Sequence, residues 1–240
     1  MRSLAKLSLT TPSVFAVLLI NGLAYAADSA PSNTLTKKEK ADGWKLLFDG
    51  KSVAGWNSWK TKQPLKLGQW VIEEGALTRG KGGGDIYTSD AFENFELALE
   101  WKTTGNSGIL IRVDPSAGGP IYKVAPEMQI ERSGGKSSTS AGGLYALYEI
   151  ACEGEKIIYP DGWNTVKIRI VDGHGTHWFN GKQVADYQIG SEDWNARVAK
   201  SKFKNWKGFG ETAKGHIGLQ DHGAKVSFRN IKIRVLDSKK

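Results

Sequence analysis

The segment APEMQIERSGG places three polar side chains where a strand would align them. Glu127, Gln129 and Glu131 alternate with the apolar Met128 and Ile130. Because successive strand residues point to opposite faces, the three polar side chains share one face. Such a face is either an outer surface in contact with water or the lining of a binding cleft.

A second polar group lies near the C-terminus, in GHIGLQDHGAKVSFRNIKI. Gln220 and His222 share the strand face opposite Leu219, and Asp221 lies between them. Downstream, the apolar residues change parity at Arg229-Asn230, which predicts a β-bulge. Bulges redirect side chains and often lie near sites, so we interpret Gln220-Asp221-His222 as the edge of a site as well as a turn.

A third segment, GNSGILIRVD, adds a permanent positive charge. A turn at Asn106-Ser107-Gly108 precedes a strand pattern in which Arg112 lies on the face opposite Ile111. If Arg112 shared a face with Glu127 and His222, the three side chains would suit a polyol or a developing oxyanion. Their convergence is a hypothesis, because the strand order does not follow from the pattern.

The other candidate metal ligands and nucleophiles favour structural roles. His174 and His177 are three residues apart in a strand pattern, so they point to opposite faces and do not favour a shared metal ion. Cys152 is the one cysteine of the chain, which predicts a structural thiol and a core without disulfides. No cofactor is indicated, and a bound divalent cation remains open.

The N-terminus has the pattern of a secretory signal peptide. Arg2 and Lys6 precede a mostly apolar run from Leu7 to Leu23, and Ala24-Tyr25-Ala26 fits a small-x-small cleavage site. The run is shorter than the ~20 apolar residues of a membrane span. We therefore expect a periplasmic or secreted protein, cleaved after Ala26 and without a membrane span in its mature form. The predicted organisation is a signal peptide (1–26), a flexible tether (27–41) and one domain (42–240).

The basic charge of the chain does not predict a nucleic-acid partner. Its net charge is +8 over 240 residues. However, lysine and arginine are scattered among acidic residues with no basic run longer than two, and export argues against such a partner. A basic, soluble surface explains the charge.

Strand patterns dominate the chain. Phe95, Leu97, Leu99 and Trp101 alternate with other residues, and Asn180-Gly181 has the composition of a tight hairpin turn between two strands. Only the segment from Ser191 to Lys200 looks helical, with Ser191 as its N-cap. Short strands and frequent turns predict an antiparallel sandwich or jelly roll, with a closed, lipocalin-like barrel as the alternative.

Seven segments occur in order along residues 42 to 236: GWKLLFDGKSVAGWN, NFELALEWKTTGNSGILIR, EMQI, GGLYAL, GWNTVKIRI, HWFNGKQV and GHIGLQDHGAKVSFRNIKI. Together they resemble the 3-keto-disaccharide hydrolase domain family. The resemblance implies an all-β fold, a concanavalin A-like jelly-roll sandwich of two curved antiparallel sheets, and bacterial export. It also implies a carbohydrate substrate, a 3-keto-glycoside. The positions that match the family pattern are Asn106, Ser107, Arg112, Glu127, Gln129, Tyr145, Gln220, Asp221 and His222. The LYG-like segment departs at its third position, Ala146.

The implied chemistry begins at the sugar ketone. A ketone at C3 acidifies the proton on C2, so a base can form an enolate whose collapse expels the substituent on C1, and water can then add. The route needs a base, an acid and an enolate stabiliser. Glu127 and His222 could be acid and base in either order, and Arg112 or a bound cation could hold the enolate. The expected substrate-binding residues are Asn106, Arg112, Gln129, Tyr145, Gln220 and Asp221.

Two other functions are consistent with the pattern. A glucanase-like glycoside hydrolase would use Glu127 and Glu131, but four strand residues separate their Cα atoms by ~13 Å. A retaining pair needs carboxyl groups ~5 Å apart, so this alternative ranks lower. A non-catalytic, lectin-like module is the other alternative, because the same fold supports it.

Overall fold

In the computed structural model, which describes residues 32–238, most regular elements are strands. The strands are β1 (Lys45–Leu46), β2 (Trp56–Ser58), β3 (Trp70–Glu73), β4 (Ala76–Arg79), β5 (Ile86–Thr88), β6 (Phe95–Thr103), β7 (Ser107–Val113), β8 (Glu127–Ile130), β9 (Asn164–Val171), β10 (His174–Phe179), β11 (Lys182–Gln188), β12 (His216–Leu219) and β13 (Val226–Val235). The helices are α1 (Lys37–Ala41) and α2 (Glu192–Lys200), with 3₁₀ turns at Ile121–Lys123, Gly154–Lys156 and Lys202–Asn205.

The strands form two antiparallel sheets. The larger sheet has the order β11-β10-β9-β6-β13-β4-β3, and β1 also pairs with β13. The smaller sheet has the order β2-β5-β12-β7-β8. This arrangement confirms the predicted jelly-roll sandwich. Because each sheet has two edge strands, it excludes the closed-barrel alternative for the described residues.

The core fills the space between the sheets. The predicted apolar face of β6 is buried, with Phe95, Leu97, Leu99 and Trp101 each exposed by 2% or less. Trp101 stacks on Phe179 with 5.8 Å between ring centroids. Burying a large apolar side chain contributes about 1.5–3 kcal/mol, so such faces hold the two sheets together.

Three predicted local features are confirmed. Asn180 and Gly181 both have positive φ (45° and 79°) between β10 and β11, as a tight hairpin turn requires. The Ser191 side chain accepts the Trp194 N–H at the start of α2. The pairing of β13 with β6 shifts register between Arg229 and Lys232, which is the predicted bulge.

The described part of the expected tether is folded onto the domain. Thr36 and Glu39 form a reciprocal capping box at the start of α1. Asn33 is buried, and its backbone N–H donates to Asn230 Oδ1 at 2.6 Å. The polar residues whose composition predicted a tether instead form these hydrogen bonds. The predicted signal peptide lies outside the described residues, and within residues 32–238 no helix is long and apolar enough to cross a membrane.

The smaller sheet has a different environment on each face. Its inner face contributes Ile109, Met128 and Leu219 to the core between the sheets. Its outer face carries a second apolar cluster that includes Leu110 and Ala125. Polar residues of β8 lie beside this second cluster, so the outer face of the smaller sheet positions the candidate site.

Candidate active site

A cavity of about 380 Å³ lies on the outer face of the smaller sheet. Strand β8 and the residues that flank β7 and β12 supply its floor, and the 3₁₀ turn Lys202–Asn205 and the residue after it close one side. The cavity is lined by Asn106, Tyr122, Ala125, Glu127, Gln129, Tyr145, Lys202, Phe203, Trp206, Gln220 and His222. Six of these residues are predicted site residues.

Glu127 forms the floor of this cavity. The residue begins β8 and is only 7% exposed. Its carboxyl group lies against the backbone of Gly108 in β7, where any Cβ atom would collide with it. Gln220 Nε2 donates to Glu127 Oε2 at 3.3 Å. The glycine in β7 is therefore what allows the carboxyl group to lie across the neighbouring strand.

Burial controls the protonation of this carboxyl group. It raises the pKa of Glu127 to about 8, against the opposing charge of Lys202 and with a further increase from Asp85. A carboxyl group with this pKa carries its proton at neutral pH. Glu127 is thus suited to donate a proton, and the buried, acid-bearing floor has the electrostatics of a general acid.

Two amide oxygens near Glu127 lack hydrogen-bond partners within residues 32–238. Gln129 is 2% exposed and Gln220 is 6% exposed, and the Oε1 atom of each is buried and unpartnered. Both residues line the cavity. Buried acceptors of this kind are costly unless a donor reaches them. Hydroxyl groups of a sugar would provide such donors.

The loop that follows β12 is held by a network of charges. Asp221 forms an ion pair with Arg79 and accepts the Gly84 N–H at 2.6 Å. Burial alone would raise the pKa of Asp221, but the N–H groups of Gly223 and Gly84 and the charge of Arg79 outweigh burial and lower it. Asp221 therefore stays ionised and fixes the loop, and it is not among the residues that line the cavity.

Asp85 lies beneath the same loop. Its carboxylate accepts the Asp221 N–H at 2.9 Å. Burial raises the pKa of Asp85 to about 6, the charge of Asp221 adds to the increase, and His222 opposes it. The exposed His222 at the cavity rim thus lies within the field of this carboxylate. His222 therefore brings an imidazole to the mouth of the cavity, on the loop that Asp85 and Asp221 hold in place.

Aromatic rings and one lysine complete the cavity. Lys202 Nζ lies 4.1 Å from the centroid of the Tyr145 ring. The rings of Tyr122 and Trp206 lie 5.8 Å apart. Flat rings beside amide groups suit the faces and hydroxyl groups of a sugar. Lys202 is the basic side chain in the lining of this cavity.

Arg112 does not join this cavity, contrary to the sequence prediction. Arg112 has a φ of 59°, at a register shift between β7 and β12. The backbone of Gly215 packs so closely against Arg112 that a Cβ atom there would collide with it. Arg112 Nη1 instead donates to the Gly210 carbonyl at 3.1 Å. This second bulge turns the guanidinium away from Glu127 and into a neighbouring cavity.

A sequence model of the 3-keto-alpha-glucoside-1,2-lyase-like domain matches residues 43–234. The chain belongs to this family. The match spans β1 to β12 and all of β13 except its last residue, and it confirms the family resemblance of the ordered sequence segments.

Relatives of the family support the same assignment. A 3-keto-disaccharide hydrolase of Bacteroides thetaiotaomicron is 32% identical over 249 residues, which cover 87% of this chain and 84% of the relative. A solved structure of a candidate glycosyl hydrolase from Parabacteroides distasonis is 32% identical with a TM-score of 0.77, covering 86% of this chain and all of the other. A second candidate glycosyl hydrolase from that organism is 28% identical with a TM-score of 0.63, covering 80% and 99%.

The structure separates the positions that match the family pattern into three groups. Asn106, Glu127, Gln129, Tyr145, Gln220 and His222 line the cavity. Ser107 and Asp221 do not line the cavity but hold residues that do. Ser107 Oγ donates to the Gln220 carbonyl at 2.7 Å, and Asp221 holds the loop that carries His222. Arg112 belongs to the neighbouring cavity. Ala146, the position that departs from the family pattern, has a φ of 57°, which a glycine would adopt without strain.

The remaining sequence candidates lie outside the cavity. Glu131 follows β8 and is not a lining residue, so the glucanase-like pair with Glu127 is absent from the cavity. His177 contacts the Tyr187 hydroxyl and His174 contacts Asp186. Across residues 32–238, no three His, Cys, Asp or Glu side chains are grouped to hold a metal ion.

Sequence reasoning missed Lys202, Trp206 and Asp85. The first two belong to a 3₁₀ turn and the residue that follows it, whose irregular backbone has no strand or helix period. The signal that could have found them is the alternation of basic and aromatic residues in SKFKNWKGF. Asp85 follows a glycine-rich stretch at residues 80–84, and only the tertiary fold brings it under Asp221.

Proposed function

We propose that this protein cleaves glycosides whose sugar carries a ketone at C3, by elimination across C1 and C2 followed by hydration. One observation carries the proposal, namely the buried, protonated Glu127 on the floor of a cavity rich in amide and aromatic groups. Family membership and the name of the B. thetaiotaomicron relative support the same substrate class.

The first half of the reaction is a proton transfer from carbon. His222 at the rim removes the proton on C2, and the electrons of that C–H bond move onto the C3 oxygen to form an enolate. The ammonium group of Lys202 stabilises this oxyanion, the role that the sequence analysis gave to Arg112 or a bound cation. The enolate electron pair then moves back from the C3 oxygen and re-forms the C3 carbonyl. At the same time a C1–C2 double bond forms and the C1–O bond breaks. Glu127 donates its proton to the departing oxygen.

The second half reverses these proton transfers. A water molecule attacks C1 of the unsaturated ketone and gives a proton to the Glu127 carboxylate. Protonated His222 returns a proton to C2, so both residues regain their initial states. The net reaction is hydrolysis of the C1–O bond, without oxidant or reductant.

Binding of the sugar is assigned to the neutral lining residues. Gln129 and Gln220 accept hydrogen bonds from hydroxyl groups through their unpartnered oxygens. Tyr145 and Trp206 present ring faces to the sugar or to its substituent. Because the ketone must already be present, a separate oxidation at C3 must supply this substrate.

A lectin-like function is the second candidate, and the aromatic lining of the cavity favours it. A binding module would retain intact glycosides and release nothing. It would gain nothing from a buried carboxyl group with a raised pKa, because burying an acid without an opposite charge in contact costs stability. We therefore rank binding without chemistry second.

The proposal is tested by incubating the purified protein with a glycoside and with its 3-keto form, each with and without a chelator. We expect release of the C1 substituent from the 3-keto form alone. Release from neither compound, together with binding of the intact glycoside, would establish the lectin-like function. Equal release from both compounds would contradict the elimination route.

We also infer that the protein works outside the cytoplasm, on the strength of the N-terminal pattern Arg2 to Ala26. The exported form is expected to begin at Ala27. N-terminal sequencing of protein recovered from the periplasm or medium checks this cleavage site, and an intact Met1 would exclude it.

A further inference from the structure

A second cavity, of about 680 Å³, adjoins the first and contains the displaced Arg112. It lies between the bulge of β7, helix α2 and the chain that follows the Lys202–Asn205 turn. Phe203 and Trp206 line both cavities. One aromatic wall therefore separates the group bound beside Glu127 from any group bound beside Arg112.

Arg112 is buried and has no carboxylate in direct contact, although the charge of Glu93 acts on it from a longer distance. It is 8% exposed, and its Nε atom has no hydrogen-bond partner within residues 32–238. None of the ion pairs formed by the described residues includes Arg112. A buried guanidinium is costly unless an anion or several acceptors compensate it. The carbonyl of Gly210 satisfies only one of its donors.

The rest of the lining favours a negatively charged ligand. Lys204 and Lys207 add two positive charges to that of Arg112, and Glu211 is the one acidic residue in the lining. Three basic groups against one acidic group leave an excess of two positive charges. Trp194 also lines the cavity, and it offers apolar surface for the body of a ligand.

We propose that this second cavity binds an oxyanion through the Arg112 guanidinium. The planar guanidinium matches carboxylate, sulfate and phosphate groups with two parallel hydrogen bonds. The oxyanion could belong to a sugar acid, whose ring would lie on the aromatic wall, or it could be a free inorganic anion. The inference concerns binding alone and does not depend on the proposed reaction.

Isothermal titration calorimetry with D-glucuronate, inorganic sulfate and neutral D-glucose tests this site. We expect glucuronate, sulfate or both to bind at least about 10-fold more tightly than glucose, the scale of one charge-assisted hydrogen bond. Arg112→Met should remove that preference. A 10-fold advantage of glucuronate over sulfate would assign the site to a sugar acid, and equal affinities would assign it to a free anion.

A second variant keeps the test valid if Arg112→Met fails to fold. Asn195 lines the cavity from the exposed surface of α2, so Asn195→Glu introduces a negative charge beside the site. We expect it to weaken oxyanion binding about fivefold or more. Ala196→Glu makes the same charge change on the same helix outside the lining, and it should leave binding unchanged.

Two results would overturn the inference. One is equal affinity of the wild-type protein for glucose, glucuronate and sulfate. The other is oxyanion binding that neither Asn195→Glu nor a folded Arg112→Met weakens. Failure of the proposed reaction would be recognised separately, because it is measured by release of the C1 substituent and not by oxyanion binding.

Discussion

At the scale of single residues, the proposed reaction depends on the proton of Glu127 and on the imidazole of His222. Burial keeps the carboxyl group protonated at neutral pH, whereas His222 lies exposed at the rim, where it can exchange protons with water. We expect Glu127→Gln and His222→Gln each to lower release from a 3-keto-glycoside about 100-fold or more, the usual scale for an acid or base. Glu131→Gln lies outside the cavity and is the matched control. The three variants are compared by their steady-state rates, measured under the same conditions.

The raised pKa of Glu127 also predicts how stability depends on pH. The folded carboxyl group has a pKa of about 8, above its ordinary value of 4.5, so the folded protein binds more protons than the unfolded chain between these values. Stability from this group is therefore present at low pH and is lost as pH rises toward about 8. Glu127→Gln lacks this loss, so its melting temperature relative to wild type should increase from pH 5 to pH 9. A difference that stays constant with pH would show that Glu127 is not buried as an acid.

At the scale of the elements, the contact between β7 and β8 places the acid. Gly108 leaves the space that the Glu127 carboxyl group occupies, and a displacement of ~1 Å can cost about 100-fold in rate. We therefore expect Gly108→Ala to lower the rate of release of the C1 substituent about 100-fold. Gly118→Ala is the control, because no atom lies near an added Cβ there. Circular dichroism distinguishes displacement of Glu127 from unfolding, and normal activity of a folded Gly108→Ala variant would contradict the placement.

Local patterns explain why many elements could be predicted from the sequence. The Asn180-Gly181 turn, the Ser191 cap and the bulge after Arg229 follow from residues next to one another in the chain. The bulge at Arg112 does not, because it depends on Gly215, which immediately precedes β12 and lies about 100 residues away in the sequence. Glu127 and Gln220 therefore line one cavity, as the hypothesis of a shared face expected, whereas the bulge puts Arg112 in the lining of the other.

At the scale of the whole molecule, the chain around Asn33 is hydrogen-bonded to the larger sheet. Asn33 donates to the Gly75 carbonyl and exchanges two hydrogen bonds with Asn230, at the bulge of β13. Loss of buried hydrogen bonds costs about 1–3 kcal/mol, so Asn33→Ala should lower the melting temperature by several degrees. Lys37→Ala, on the exposed side of α1, should not. An unchanged melting temperature for Asn33→Ala would restore the segment to the role of a tether.

The two sheets contribute differently to the core and to the candidate site. The larger sheet supplies most of the apolar faces that bury the core, whereas the smaller sheet presents its outer face to the candidate substrate. The order of strands in the smaller sheet, which the sequence pattern could not supply, brings residues 106, 127 and 220 together. The family resemblance had already named these three positions together, because all of them match the family pattern.

Loss of deuterium from C2 tests the central claim most directly. A 3-keto-glycoside labelled with deuterium at C2 is cleaved in ordinary water, and the label is measured by mass spectrometry at early times against a sample without protein. Elimination and hydration predict that the product loses its label as fast as the C1 substituent is released, because the exposed His222 exchanges its deuteron with water. A product that keeps the label at C2 would show direct displacement at C1 and would contradict the proposed route.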